Sequence, residues 1–198
     1  MGGGWYGGRV TPRTGEAHVW LFALDRPAAE VERLYDLLST AERARAGPLP
    51  LGARKRRYAV RQGTVREILA RYTGRRPEEL ELTRSPQGKP SLENGPPFSV
   101  SDSGELALVA VASCGVGVDV ERVVDRPIAR HSPLPLVRFY ESWTAREAKA
   151  KAAGTGLWGL SAEGTVHCTT IDVGPGFVAT LATGERALSV RTRRWQSR

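Results

Sequence analysis

The sequence predicts an α+β protein, and three observations carry that prediction. Segments whose apolar residues recur at helical spacing stand apart from short apolar runs with the length of strands. The two kinds are mixed along the chain, with antiparallel strand runs separating the helices. The length, 198 residues, suits one large domain or two small halves packed together.

The elements follow in order. Residues 19–24 are a short apolar run, a first strand. Within residues 28–38, Val31, Leu34, Leu37 and Leu38 fall at helical spacing. Ser39-Thr-Ala-Glu42 is a capping box for another short helix, which Gly47-Pro-Leu-Pro50 breaks. Residues 53–72 are strongly helical: Tyr58, Val65, Ile68, Leu69 and Tyr72 fall mainly on one face, and Gly74 ends the helix. Residues 80–83 are a short strand, Ser85-Pro-Gln-Gly-Lys-Pro90 a turn, residues 98–101 extended, and residues 106–113 a buried strand. Gly115 turns the chain into a strand at 116–121, and a helix follows at 136–153, ended by Gly154 and Gly156. Residues 166–173, 177–182 and 188–193 close the chain as strands.

Composition bounds the setting. The hydrophobic share of 40% and charged share of 25% are those of soluble globular proteins. No run of 18 apolar residues occurs, so no membrane span is expected. The first residues, Met1-Gly-Gly-Gly-Trp-Tyr-Gly-Gly8, lack the basic flank and apolar stretch of a signal peptide, so a flexible leader over 1–16 and a cytoplasmic protein are expected. Cys114 and Cys168 are far apart and suggest buried small hydrophobes. His18, His131 and His167 are dispersed, which argues against zinc. The net charge of +8 fits an Arg-rich solvated surface or a polyanionic partner: nucleic acid, a phosphorylated ligand or an acidic protein.

Four segments carry candidate chemistry. In Gly117-Val-Asp-Val-Glu121, strand alternation points Asp119 and Glu121 one way and Val118 and Val120 the other. Two adjacent carboxylates repel unless a cation lies between them, which fits Mg²⁺; a solvated acidic face is the alternative. Glu147 and Lys151 share one face of their helix, either as an exposed ion pair or as metal and phosphate ligands. Lys89 sits between Gly88 and Pro90 in a tight turn, presented to a phosphate or to solvent. Ser99-Val-Ser-Asp-Ser-Gly104 is a polar run whose hydroxyls and N–H groups could cradle an anion in a nest-like turn.

Taken together, these segments resemble the Sfp-type 4′-phosphopantetheinyl transferase family. The resemblance rests on Glu42-Arg-Ala-Arg45, Gly88-Lys-Pro90, Ser101-Asp-Ser-Gly104, Gly115-Val-Gly-Val-Asp-Val-Glu121 and Trp143-Thr-Ala-Arg-Glu-Ala-Lys-Ala-Lys151, in the family's order. Gly174-Pro-Gly-Phe-Val-Ala-Thr-Leu-Ala182 is similar to its closing strand, and the likeness runs from about residue 17 to 195. It implies two similar, pseudo-symmetric halves, each a small antiparallel sheet with a long helix, here 17–105 and 106–198. Coenzyme A would lie in the cleft between them. By motif position, Asp119, Glu121 and Glu147 would hold Mg²⁺ and form the catalytic group. Arg45, Arg84, Lys89, Ser99, Ser101, Asp102 and Lys151 would bind coenzyme A.

The implied reaction moves the 4′-phosphopantetheine group from coenzyme A to a serine of an apo acyl- or peptidyl-carrier protein, in polyketide or nonribosomal peptide biosynthesis. It releases adenosine 3′,5′-bisphosphate. Such a transfer asks the protein to position groups and neutralise charge. A base must take the serine proton, and Glu147, or a water held by it and the metal, suits that role. A monomer is expected, because one chain holds both halves of the cleft.

The pattern also has departures. Asp102 stands where the family has His, and a carboxylate beside a phosphate costs about 4 kcal/mol at 4 Å and an effective dielectric near 20. A neighbouring Arg or second cation would offset it. Arg146 replaces a Lys. The stretch 122–139, with Pro127, Pro133 and Pro135, is shorter than the family's carrier-docking segment, so Leu134, Leu136 and Phe139 become the expected docking residues. These departures leave a non-catalytic relative that binds coenzyme A or a carrier domain as the alternative. A nucleic-acid-binding module is suggested only by the charge and Arg54-Lys-Arg-Arg57, without a recognised motif.

Overall fold

A computed structural model describes residues 10–49, 52–154, 166–184 and 188–196. Most of the expected leader, Gly156 and part of the approach to the last strand lie outside the described residues. The fold is mixed α+β, with small sheets and helices as the sequence predicts. Strand β1 (Glu16–Ala23) is followed by α1 (Ala28–Asp36), α2 (Thr40–Ala46) and α3 (Ala53–Thr73). A 3₁₀ turn at Pro77–Glu79 leads to β2 (Leu82–Arg84) and β3 (Pro90–Leu92), then β4 (Phe98–Ser103), β5 (Leu106–Ala112) and β6 (Val116–Arg122). The short α4 (Pro127–Arg130), the long α5 (Leu136–Ala153), β7 (Val166–Ile171), β8 (Phe177–Gly184) and β9 (Ser189–Arg194) complete it.

Local signals explain the helix ends. Ser39 Oγ accepts the Glu42 N–H at 3.3 Å while Glu42 Oε2 accepts the Ser39 N–H at 2.9 Å, so the capping box starts α2. Gly74 and Gly154 adopt the left-handed conformation that closes α3 and α5, with N–H bonds to Ala70 and Ala150 carbonyls.

One sheet has the strand order β4-β5-β1-β9 and a second the order β6-β8-β7, with β2 and β3 as a separate hairpin. All pairings are antiparallel except β1 with β9, which run parallel. The small antiparallel sheets are those the sequence predicts, and the parallel pair is added at one edge. Strand β9 fills the free edge of β1 in the same direction. The expected division after residue 105 falls in the β4–β5 turn, and both β5 and β9 sit in the first sheet. Every residue of Leu106–Ala112 is buried, because α3 covers one face of β5 and the second sheet the other.

The layers run α3, first sheet, second sheet, α5. Trp20, Phe22, Val109, Val111 and Phe98 pack against Val65, Ile68 and Leu69 of α3. On the other face, Val19, Leu21, Leu108 and Ala110 meet Val118, Val120 and Leu181. The α3 helix is buried almost all round from Ala59 to Tyr72, not on one face, because α1 and α2 cover its outer side. Gly63 permits this close crossing: a Cβ there would lie 2.5 Å from the Leu34 carbonyl oxygen. The cysteines also differ from expectation, Cys114 being half-buried and Cys168 exposed, the latter on the outer strand β7. No helix among the described residues is long and apolar enough to cross a membrane.

Candidate active site

Strand alternation divides β6 as the sequence predicts. Val118 and Val120 enter the core between the sheets, while Gly117, Asp119 and Glu121 face the other way. Gly117 lets α5 press onto this face, since a Cβ at 117 would lie 2.0 Å from the Ala148 carbonyl oxygen. That contact brings one side of α5, with Glu147 and Lys151, over the two β6 carboxylates.

Asp119 is 4% exposed. Its Oδ1 accepts hydrogen bonds from Ser101 Oγ and Lys151 Nζ, each at 2.7 Å, whereas its Oδ2 is buried without a hydrogen-bond partner. Lys151 Nζ also reaches Ser101 Oγ at 3.1 Å and the Val118 carbonyl at 3.3 Å. Glu121 Oε2 accepts from Ser103 Oγ at 2.8 Å and lies 3.9 Å from Arg126. Burial pushes the Glu147 carboxyl above its ordinary range, and the negative charges of Asp119 and Glu121 add to that against the pull of Lys151 and Arg146.

The opening beside these groups is a cavity of about 250 Å³. Its walls come from α2, α3, the β2–β3 hairpin, β4 and α5, with Arg45, Arg61, Arg84, Lys89 and Lys151 as its cations and Glu42 and Glu147 as its acids. Lys89 spans the seam, donating to the carbonyls of Val116 and Ala152 at 3.4 Å, and its burial lowers its pKa. The pKa of Arg84 is also lowered, first by burial and then by Arg45 and Arg61 nearby, so positive charge is crowded here without full neutralisation. A cavity of this kind suits an anionic ligand with several charges.

The carboxylates are close enough to raise Glu147, yet no group of three His, Cys, Asp or Glu side chains among the described residues lies within metal-holding range. Lys151 occupies Asp119 Oδ1, the position where a cation would compete.

Comparison with known proteins decides the family. No family model matches the chain. The 4′-phosphopantetheinyl transferase HetI of Nostoc sp. is 32% identical over 174 residues, covering 75% of this chain and 73% of that protein. The chain belongs to the 4′-phosphopantetheinyl transferase family. A Synechocystis sp. protein provisionally named as the same enzyme is 30% identical over 73% of this chain and 67% of its own length. The 4′-phosphopantetheinyl transferase of Bacillus subtilis is 25% identical over 68% of this chain and 69% of its own length. As a member of that family, the chain is a transferase.

In this phosphopantetheinyl transferase, Asp119, Glu121, Glu147, Lys151 and Ser101 meet at the α5–β6 contact. Arg45, Arg84, Lys89 and Ser99 line the cavity beside them. Asp102 turns to the other face of β4, where it accepts a 2.9 Å bond from Arg61. Residues 98–103 form a strand, as the extended reading of 98–101 predicts, and the hydroxyls bond to β6 instead of cradling an anion, because the free edge of β6 offers N–H groups that need acceptors. Sequence reasoning missed Arg61 and Ser103. Arg61 lies three residues after Tyr58 and four before Val65, a charge on an apolar face, and that was its signal. Ser103 continues the two-residue spacing of Ser99 and Ser101.

Proposed function

We propose that this transferase moves the 4′-phosphopantetheine group of coenzyme A to a serine of an apo acyl- or peptidyl-carrier protein, in a Mg²⁺-dependent reaction. One observation carries the reading: a cavity walled by Arg45, Arg61, Arg84, Lys89 and Lys151 opens beside Asp119, Glu121 and Glu147. Coenzyme A would occupy the cleft between two α+β halves, with its phosphates among those cations and its diphosphate near Lys151.

A hard divalent cation would complete this donor set: Asp119 Oδ2 is buried and lacks a partner, and Glu147, raised first by burial and then by Asp119 and Glu121, would gain from added positive charge. Asp119, Glu121 and Glu147 would hold Mg²⁺. When bound, the ion supplies positive charge at the diphosphate and keeps the carboxylates ionised. Lys151 and Lys89 hold the diphosphate oxygens and neutralise the charge that builds on the departing adenosine 3′,5′-bisphosphate. Glu147 takes the proton of the carrier serine as its oxygen attacks the phosphorus bearing the pantetheine arm. The bond from that phosphorus to the bisphosphate oxygen then breaks.

The carrier approaches the exposed apolar side chains Ile128, Leu134 and Val137 around the start of α5, with Leu136 and Phe139 behind them. The net charge of +8 favours an acidic carrier surface. In this reading the enzyme works as a cytoplasmic monomer, with no nucleic acid or membrane partner. The test is incubation with coenzyme A, Mg²⁺ and a panel of apo-carrier domains, followed by intact mass. A gain of one phosphopantetheinyl group that disappears with chelator supports the reading. No gain with any carrier, from protein whose fold is confirmed by circular dichroism, overturns it.

A further inference from the structure

Strand β4 places a buried serine at every second position: Ser99, Ser101 and Ser103. Strand β6 runs beside it in the same direction at a constant offset. The N–H groups of Val118, Val120 and Arg122 donate to the hydroxyls of Ser99, Ser101 and Ser103 at 3.0, 3.4 and 3.0 Å. These bonds replace the backbone ladder that β6 lacks on this edge. Each uses a hydroxyl lone pair and leaves the hydroxyl hydrogen to be given elsewhere.

Two of the three serines give it to a carboxylate. Ser101 donates to Asp119 Oδ1 at 2.7 Å and Ser103 to Glu121 Oε2 at 2.8 Å. Ser99 has no such partner, because the corresponding position is Gly117. The two carboxylates are therefore treated alike. One oxygen of each is held by a serine and faced by a cation, Lys151 at 2.7 Å or Arg126 at 3.9 Å. The other oxygen is left over: Asp119 Oδ2 is buried without a partner, and no hydrogen bond or ion pair among the described residues reaches Glu121 Oε1.

Arg126 cannot set that orientation. It is half exposed and beyond hydrogen-bond distance, so solvent and salt screen it. Ser103 is buried, close, and tied at its other side to a strand N–H. We propose that Ser103 is a positioning residue that locks the Glu121 carboxylate, holding Oε2 on the seam and leaving Oε1 to a divalent cation. The assignment rests on the Mg²⁺-dependent reading above. It acts through Glu121, as outer-shell hydrogen bonds fix metal-ligating carboxylates elsewhere.

The test is calorimetric titration of the full chain with Mn²⁺ alone, without coenzyme A, for Ser103→Ala, Ser103→Thr, Ser99→Ala and Asp119→Asn. Ser103→Ala is expected to weaken Mn²⁺ binding about 10- to 100-fold, and Ser103→Thr, which keeps the hydroxyl, to restore it. Ser99→Ala loses an equivalent backbone bond without touching a carboxylate, so it should lower the melting temperature comparably yet keep its Mn²⁺ affinity. Should Ser103→Ala fail to fold, Ser103→Cys carries the same comparison, since it keeps the shape with only a weak donor. Unchanged Mn²⁺ affinity in the Ser103 variant overturns the assignment, and so does an equal loss in Ser99→Ala, which would make the serines purely structural. If Asp119→Asn loses Mn²⁺ while Ser103→Ala does not, only the Ser103 assignment falls. If Asp119→Asn also binds normally, the metal reading falls and takes this one with it.

Discussion

Glu42 and Asp119 are both buried carboxylates beside a cation, and they differ in what is left over. Glu42 is used up: Oε1 accepts from Gln62, and Oε2 accepts from Arg66 and from the Ser39 N–H. Arg66 is 1% exposed and also donates to the carbonyls of Pro77 and Leu80. Asp119 is equally buried, but both of its donors crowd onto one oxygen and the other has none. A fully paired buried network fixes one packing, whereas an orphaned oxygen costs stability and points to a ligand that completes it. The first arrangement joins α2 to α3; the second marks the site.

The largest expected effect breaks the structural member of the pair. Glu42→Ala strands the Arg66 charge in the core, a loss of about 3–5 kcal/mol, which lowers the melting temperature on the order of 10 °C for a chain of this size. Thermal unfolding checks it, and a shift of only a degree or two would mean that Arg66 finds another partner. Asp119→Asn should do the reverse. Lys151 is 30% exposed and can turn to water, so the melting temperature should hold or rise, while transfer falls about a hundredfold or more. An active Asp119→Asn enzyme, or one that unfolds as readily as Glu42→Ala, would erase the distinction between the two sites.

The same contrast explains what the sequence could and could not reveal. The capping box, the ends of α3 and α5, and the shared face of Asp119 and Glu121 depend on spacings of two to four residues, and all were legible. Features set by partners far along the chain were not. Asp102 meets Arg61 across 41 positions, and β9 joins β1 in parallel from the opposite end of the sequence. The extended backbone at 98–101 was legible, but the partners of its serine hydroxyls were not, because the N–H groups they accept lie on the free edge of β6. Burial of α3 on every side likewise depends on α1 and α2 folding over it. For the site, composition marked the acids and cations, but not which oxygen stays free.

A smaller effect sharpens the comparison through pH. The Glu147 carboxyl is raised above its ordinary 4.5, first by burial and then by Asp119 and Glu121. The folded chain therefore holds this proton more tightly than the unfolded chain. That contribution to stability is full below about pH 4.5 and is lost as pH rises through the folded pKa. Without divalent ions, Glu147→Gln should thus be more stable than the parent at neutral pH, and the gap should close as pH falls below 4.5. Adding Mg²⁺ should raise the melting temperature of the parent more than that of the variant. Melting curves in chelator across a pH series test the sign, and a gap that ignores pH would remove Glu147 from the group of crowded acids.

The smallest effect concerns an acid–base pair at the rim, Asp102 with Arg61, which is neither buried nor orphaned. Its side chains are 38% and 24% exposed, so the pair is worth at most ~1 kcal/mol to stability. Its interest is electrostatic. Arg61 lines the cavity, and Asp102 cancels its charge from the face of β4 that turns toward α3. In the proposed reading, that pairing offsets a carboxylate where the family resemblance expects His. Asp102→Ala should leave the melting temperature nearly unchanged while returning one positive charge to the cavity. Coenzyme A should then bind about fivefold more tightly, the equivalent of ~1 kcal/mol. Asp102→His should do at least as well. The gain should shrink at high salt, because the Debye length contracts from about 10 Å at 0.1 M to about 3 Å at 1 M. Calorimetric titration with coenzyme A at both salt concentrations reads the effect directly. Weaker binding by Asp102→Ala at low salt would give Asp102 the opposite role: holding the Arg61 guanidinium in the geometry that meets a phosphate, with alignment outweighing net charge.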